Sequence, residues 1–223
     1  MMISRLEPTL PTARPGLAFA SCYVYSPSGA AAVSVQSRLL RDRIKAAEAR
    51  WVAACAQRVG EQCRPDAPLT GFFQPEDILV PVPGRKAGLM ASGAVTRQLA
   101  EQLARNGVGQ CVWCGLQRVA DIPKSATAPQ GSRPDVSRQY ESLGVSRSGG
   151  PSPFARLMLI DDVISRGRTL LAAAMRLEEA FPLATVGAFA LLRTLGRAAD
   201  VERLLDPCVG TIRWRRGDAM RVP

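Results

Sequence analysis

The 223-residue chain contains no histidine, and this absence excludes catalytic triads and general bases that depend on an imidazole. It also contains no apolar run near the roughly 20 residues that a membrane-spanning helix requires. Residues 1–14 lack the apolar core and the cleavage site of a signal peptide. We therefore expect a cytoplasmic protein that does not enter a membrane.

Six cysteines are present, but only Cys111 and Cys114 have the spacing of a metal-binding pair. A second such pair and histidines are both missing, so the usual tetrahedral zinc sets would have to be assembled from distant cysteines. We expect Cys111 and Cys114 to be free thiols buried in a strand, and a redox role stays open as the alternative.

Lysine is scarce among the basic residues, with three lysines in a total of 29, and the formal net charge is +10. An excess of positive charge favours phosphate-bearing ligands or nucleic acid. The charge alone does not choose between these two classes of partner.

Apolar runs and helix-forming stretches alternate along most of the chain. From residue 77 to residue 193 this alternation predicts an α/β protein with a parallel sheet and right-handed crossovers. Residues 115–155 are rich in Ser, Arg, Pro and Gly and carry only a weak strand or helix signal. The predicted strands are Leu17–Tyr25, Asp77–Val82, Gln110–Cys114, Leu157–Ile160, Thr185–Arg193 and Val209–Trp214, and the predicted helices are Ser34–Val59 (with room for a break), Gly88–Asn106, Leu170–Ala180 and Gly196–Leu205.

The most informative segment joins a buried strand to an acidic pair, a hydroxyl-bearing turn and a helix. Asp161 and Asp162 follow the apolar run, at the carboxyl end of a strand, where open α/β sheets place their ligand crevice. Ser165, Gly167 and Thr169 supply hydroxyls, a flexible backbone and free N–H groups at a helix start. Two carboxylates beside such a cradle predict a ligand with phosphate and hydroxyls, such as a ribose phosphate, together with Mg²⁺. An Asp-rich turn that merely caps a helix is the alternative.

This order resembles the phosphoribosyl-pyrophosphate (PRPP) loop of type I phosphoribosyltransferases. The resemblance implies that Asp161 and Asp162 contact the ribose hydroxyls, act in catalysis and hold Mg²⁺. It also implies that the turn after them holds the 5′-phosphate. The usual family turn is Thr-Thr-Gly-x-Thr, whereas Arg166 and Arg168 add positive charge here. The residues of the predicted phosphate turn are Ser165, Arg166, Gly167, Arg168 and Thr169.

A second loop, after the strand predicted at Asp77–Val82, carries two adjacent cations. Gly84 lets a backbone N–H approach an anion, and Arg85 and Lys86 supply positive charge. Type I phosphoribosyltransferases bind the pyrophosphate of PRPP at a loop in this position. The Val-Pro-Val-Pro sequence is similar to the ComF-like (competence-associated) branch, and by that likeness Val82–Pro83 is our guess for a cis bond. A proline turn with solvated charges is the alternative.

The polar segment from Arg118 to Arg147 is long for a connection inside a compact domain. In ComF-like proteins a comparable stretch forms a hood over the active site. By resemblance, Lys124, Arg133 and Arg138 close over the pyrophosphate, exclude water and stabilise the departing charge. A surface loop is the alternative for each of these residues.

The resemblance implies an α/β fold with a parallel-sheet, Rossmann-like core of the type I phosphoribosyltransferase kind and a small hood from flanking segments. We expect the core at residues 77–195, a hood or flanking segment at residues 1–76, and a basic extension that completes the domain at residues 196–223. Two typical features of ComF-like proteins are missing, the N-terminal cysteine pairs and an Arg-Gly-Phe-Asn segment, which reads Ala-Ser-Gly-Ala at residues 91–94.

The leading hypothesis is a phosphoribosyltransferase-like protein that binds PRPP or a nucleotide with Mg²⁺ and transfers phosphoribose to a nitrogen nucleophile. The alternative is a non-enzymatic nucleotide sensor, or an accessory or effector protein of a nucleic-acid system such as DNA uptake or a retron in antiphage defence. Hydrolysis, with water as the nucleophile, is a third option. A homo-oligomer is compatible with all of these.

The positive charge motivates the second hypothesis, in which the partner is nucleic acid or a nucleic-acid-bound protein. Trp214 then stacks on a base, or it belongs to the core of a terminal strand. The basic residues near the C-terminus are Arg213, Arg215, Arg216 and Arg221.

Overall fold

The computed structural model describes residues 16–88, 94–123, 134–146, 148–196, 200–215 and 217–223. Within these ranges the chain forms a seven-stranded sheet, a two-stranded sheet and five helices. The strands are β1 (Leu17–Tyr25), β2 (Ile78–Pro81), β3 (Cys111–Val112), β4 (Leu116–Arg118), β5 (Leu143–Val145), β6 (Arg156–Ile164), β7 (Thr185–Thr194), β8 (Leu205–Arg215) and β9 (Asp218–Val222). The helices are α1 (Ala32–Lys45), α2 (Ala49–Gln62), α3 (Ala94–Arg105), α4 (Val136–Glu141) and α5 (Arg168–Ala180).

The larger sheet has the strand order β3-β2-β6-β7-β1-β8-β9. The strands from β3 to β1 pair in parallel, and β8 and β9 continue the sheet in antiparallel pairing. Central parallel strands are covered on both faces, which is why their sequences are continuous apolar runs. The predicted α/β class with a mostly parallel sheet is therefore confirmed.

Strand β1 lies inside the sheet, between β7 and β8, although the sequence predicted a flanking hood for residues 1–76. Phe19 pairs with Ala188 of β7 and with Gly210 of β8. Residues 19–24 are all buried, because neighbouring strands and both faces cover them. The main sheet therefore includes a strand from the N-terminal side of the boundary expected at residue 76. The β8–β9 hairpin, from the expected C-terminal extension, forms one edge of the same sheet.

Two apolar clusters cover the two faces of the sheet. On one face, Met158 and Ile160 of β6 belong to a cluster with residues of α1, α2 and α3. On the other face, Leu157 and Leu159 belong to a cluster with residues of α5. Side chains alternate between the faces of a strand, so the position of a residue along β6 decides which helix layer it meets.

The long helix predicted at Ser34–Val59 is broken into α1 and α2. Ala47 lies between them with a φ of 54°, a left-handed conformation that a continuing right-handed helix does not contain. The helix predicted at Gly88–Asn106 is confirmed from Ala94 to Arg105, and residues 89–93 lie outside the described ranges.

The short helix predicted at Gly196–Leu205 is wrong for the residues that are described. Leu205 begins β8 and pairs with Tyr23 of β1. Asp200 accepts hydrogen bonds from the Ala31 N–H at 2.9 Å and from Ser34 Oγ at 3.2 Å, so this segment caps the N-terminus of α1. Contacts with a distant helix thus replace the local helical pattern.

Two further expectations, one about the cysteines near β3 and one about the loop after β2, are wrong. Cys111 and Cys114 are exposed free thiols, because β3 is a two-residue edge strand. The Val82–Pro83 peptide bond is trans.

The weakly patterned segment after β3 contains β4, α4 and β5, and β4 pairs with β5 in antiparallel fashion. Across the described part of the chain, every helix is too short or too polar to cross a membrane.

Candidate functional site

The acidic pair lies within β6, because this strand continues to Ile164 and pairs with β7 over its whole length. The neighbouring strand β2 is shorter and ends with Pro81 opposite Ile160. One more hydrogen bond follows, from the Val82 N–H to the Ile160 carbonyl at 2.9 Å. Asp161 is therefore the first residue of β6 beyond the end of β2, and the loop after β2 begins beside it. The sequence placed the pair at the carboxyl end of its strand, whereas the structure places both aspartates within β6, at the level where β2 ends.

The two carboxylates have different surroundings. Asp162 is 4% exposed, and its Oδ2 atom forms an ion pair with the Lys45 ammonium at the end of α1. Asp161 accepts the Asp162 N–H through Oδ1 at 2.8 Å. Burial and the adjacent Asp162 carboxylate raise the pKa of Asp161 to about 7. Asp161 can therefore hold a proton near neutral pH.

The predicted phosphate turn leads into α5 at the same edge. Gly167 has a φ of +88°, and a Cβ at this position would lie 2.8 Å from Cγ2 of Ile212. Glycine is thus required by backbone conformation and by close packing. Ser165 and Arg166 are exposed, and α5 begins at Arg168 with N–H groups that have no partner inside the helix. A helix N-terminus of this kind attracts anions.

The two arginines of the turn both contact Asp218 of β9. Arg168 donates from Nε and Nη2 to the two carboxylate oxygens at 2.6 Å each, and Arg166 donates from Nη1 at 3.1 Å. Burial alone would raise the pKa of Asp218, but the hydrogen bonds from Arg168 and from the Ala219 N–H hold it below its ordinary value. The sequence predicted that both arginines add positive charge. The Arg168 charge is paired with this carboxylate, while the Arg166 side chain remains 66% exposed.

The loop after β2 is tied to residues that follow β4. The Lys86 ammonium forms an ion pair with Asp121 at 2.8 Å, and the Ala87 N–H donates to the same carboxylate at 2.7 Å. The Arg85 carbonyl accepts the Ile122 N–H at 3.0 Å, and the Arg85 side chain is exposed. Of the two predicted cations, Lys86 is therefore paired, and Arg85 is the one that points its charge to solvent.

Arg118 is a site residue that the sequence did not single out. Its side chain is 3% exposed, and it donates to the Gly84 carbonyl at 2.9 Å, to Gln139 Oε1 at 3.3 Å and to Ser142 Oγ. All three acceptors are neutral, and burial lowers the pKa of Arg118 to about 10, an effect that the charge of Asp161 partly offsets. Arg118 lies on the same face of β4 as buried Leu116, so a charged residue at an inward strand position was the available signal.

The predicted hood is described only in part. Lys124 and Arg133 lie outside the described residues. Arg138 is exposed on α4, and this helix is fixed to α5, because Tyr140 donates to Glu179 at 2.6 Å and Arg176 donates to the Tyr140 carbonyl at 2.9 Å. The described part of the predicted hood is thus anchored to α5.

The acidic pair is also the candidate metal site. Among the described residues, no group of three or more Cys, Asp or Glu side chains is arranged to hold a metal ion. Mg²⁺ commonly uses one or two protein carboxylates and takes its other ligands from water and substrate phosphates. The pair at Asp161 and Asp162 fits a magnesium site of this kind, in which water and phosphate oxygens complete the coordination.

No protein-family model matches this chain, and no curated protein matches it either.

Proposed function

We propose that this chain is a phosphoribosyltransferase-like protein of the type I fold that binds PRPP or a nucleotide together with Mg²⁺. One observation carries the proposal: the Val82 N–H donates to the Ile160 carbonyl, so the basic loop after β2 begins beside Asp161. The three groups that would bind the parts of PRPP therefore lie at the same edge of the sheet. The carboxylate pair would bind the ribose hydroxyls, the N-terminus of α5 the 5′-phosphate, and the basic loop after β2 the pyrophosphate.

The phosphate end of the ligand is bound mainly by the backbone. The first N–H groups of α5 and the Ser165 hydroxyl supply the donors, and Arg166 supplies exposed charge. Arg168 holds the turn in shape through Asp218. At the pyrophosphate end, Arg85 supplies the exposed cation, and the buried guanidinium of Arg118 fixes the Gly84 carbonyl and with it the path of the loop.

The acidic pair orients the ribose. Asp161 accepts hydrogen bonds from the ribose hydroxyls when it is ionised, and Asp162 forms an ion pair with Lys45. Asp161 and Asp162 would hold Mg²⁺ together with oxygens of the ligand, and the ion would offset part of their negative charge. In a transfer reaction a nitrogen nucleophile forms a bond to the ribose C1, and the bond from C1 to the pyrophosphate oxygen breaks. The pyrophosphate leaves with the electron pair, and the chain's residues act by position and charge.

A thermal-unfolding experiment tests ligand binding. PRPP with Mg²⁺ at about 100 times its dissociation constant is expected to stabilise the protein by about 2.7 kcal/mol, which is roughly 5–10 °C for a chain of this size. Asp161→Asn with Asp162→Asn is expected to abolish that shift. The matched control is Glu76→Gln with Glu101→Gln, which also removes two carboxylates, one exposed in a loop and one on α3, and should keep the shift.

Release of pyrophosphate then separates transfer from binding. A panel of nitrogen nucleophiles is incubated with PRPP, and product is identified by mass spectrometry. Release that depends on one nucleophile supports the transferase, and ribose 5-phosphate as the sole product indicates hydrolysis. The binding proposal is wrong if neither PRPP nor any nucleotide shifts the melting temperature.

A further inference from the structure

The β8–β9 hairpin has one buried face and one open face. Ile212 and Ala219 are buried, and Trp214 packs against the same core cluster. The strand alternation sends the intervening β8 residues to the opposite face, where Val209 is 50% exposed and Arg213 and Arg215 are also exposed. Trp214 therefore belongs to the core, and the arginines on either side of it point away from the core.

The positive charges on this open face have no carboxylate partner among the described residues. Arg215 donates to the sulfur of Met220 at 3.7 Å. Arg213 lies opposite Met220 in the antiparallel pairing of β8 with β9. Asp218 lies opposite Arg215 across the hairpin, but its carboxylate is used by Arg166 and Arg168. The hairpin thus carries charge that the fold itself does not neutralise.

Small residues lie beside Arg213 on the open face. Thr211 pairs with Ala18 on one side and with Val222 on the other. Gly16 lies so close to Thr211 that a Cβ on this glycine would be 2.1 Å from Cγ2 of the threonine. Gly16 and Ala18 are both exposed, so no helix layer covers this corner of the sheet.

We propose that the open face of the β8–β9 hairpin binds the phosphate backbone of a nucleic acid. Arginines at alternate positions of a strand are about 6.6–6.8 Å apart along it, so they can meet separate phosphates of one strand. The net charge of +10 adds a long-range attraction to any polyanion. The contacts come from arginine and threonine side chains, so binding depends on phosphates and little on base sequence.

Salt dependence of binding gives a direct test. A fluorescein-labelled 30-mer, single-stranded or duplexed, is titrated with the full chain at several salt concentrations. Arg213→Gln with Arg215→Gln is expected to weaken binding and to reduce the slope of log K against log salt by about two units for the duplex. Both side chains lie on an open face, so the melting temperature of this variant is expected to stay near that of the wild type.

A matched double variant separates this surface from general charge. Arg64→Gln with Arg105→Gln removes two other exposed arginines, after α2 and at the end of α3, and should leave the slope unchanged. Three results overturn the proposal: equal slopes for wild type and the hairpin variant, equal loss in both double variants, or equal affinity for polyglutamate of the same charge. The stabilisation by PRPP is measured on the same hairpin variant, so a failure of this proposal is distinguishable from a failure of the nucleotide site.

Discussion

Arg168, the first residue of α5, forms a two-point ion pair with Asp218 of β9, from Nε to Oδ1 and from Nη2 to Oδ2 at 2.6 Å each. The same guanidinium donates from Nη1 to the Pro134 carbonyl at 3.2 Å. One side chain therefore joins the turn before α5, the segment before α4 and the C-terminal hairpin.

Asp218→Asn is expected to lower the free energy of unfolding by about 1–2 kcal/mol at pH 7, because bidentate, charge-assisted hydrogen bonds are lost at a partly buried position. The control is Asp42→Asn, whose pair with Arg41 is largely exposed and should change stability by less than about 0.5 kcal/mol. Urea denaturation measures both.

The effect of Asp218→Asn should also depend on pH. The hydrogen bonds hold the pKa of Asp218 below its unfolded value, so its stabilisation is present above about pH 4 and is lost as the pH falls through the lower folded value. Wild type and variant should therefore converge in stability towards pH 3. A constant difference from pH 7 to pH 3 would contradict this account of Asp218.

Gly167→Ala is expected to destabilise the protein by about 2–4 kcal/mol, because it combines a left-handed backbone with a clash against Ile212. Gly71→Ala is the matched control. Gly71 has a φ of +73°, but a Cβ there would meet no atom within 4 Å, so only the backbone cost of about 1 kcal/mol is expected. Equal losses in the two variants would mean that packing against Ile212 contributes nothing.

Arg118→Lys is expected to destabilise the protein by about 2 kcal/mol, because an ammonium cannot reach the Gly84 carbonyl, Gln139 and Ser142 together. The variant should also reduce the PRPP-dependent melting shift, since the loop after β2 loses its fixed carbonyl. Arg105→Lys, at an exposed position, is the control. A full ligand shift in Arg118→Lys would limit this arginine to a role in folding.

Asp161→Asn is expected to raise stability at high pH when no Mg²⁺ is present. The pKa of Asp161 is raised to about 7 in the folded protein, so its contribution is fully present below about pH 4 and is lost as the pH rises through about 7. Asparagine keeps an oxygen that can accept the Asp162 N–H and carries no charge. Urea denaturation in EDTA should give a variant more stable than wild type at pH 8.5 by about 2–4 kcal/mol, and nearly equal to it at about pH 4. A difference that does not change with pH would exclude titration of Asp161.

Much of the central sheet was predictable because its signals are local. The apolar residues before Asp161 mark a strand buried on both faces, and Gly167 before a helical pattern marks the turn. The strand Leu17–Tyr25 was predicted with its observed limits, but its place between β7 and β8 was not. Strand order depends on which distant strands pair, and one strand's periodicity carries no information about its neighbours.

The partners of charged side chains were the least predictable part of the site. Arg166 and Lys86 both lie in motifs that suggest phosphate binding, yet each contacts a carboxylate that arrives from a distant segment. The exposure of Cys111 was missed for a related reason, because β3 is an edge strand only in the context of the whole sheet.

By itself the sequence determined the α/β alternation, the strand that carries Asp161 and the glycine turn that opens α5, because each depends on residues within a few positions of one another. The tertiary structure alone decided that Arg168 is held by Asp218, a residue 50 positions away, and that Arg118 is buried against the loop at Gly84. Ion pairs and hydrogen bonds of this kind act over a few ångströms in space, so they form only after the fold has brought distant segments together.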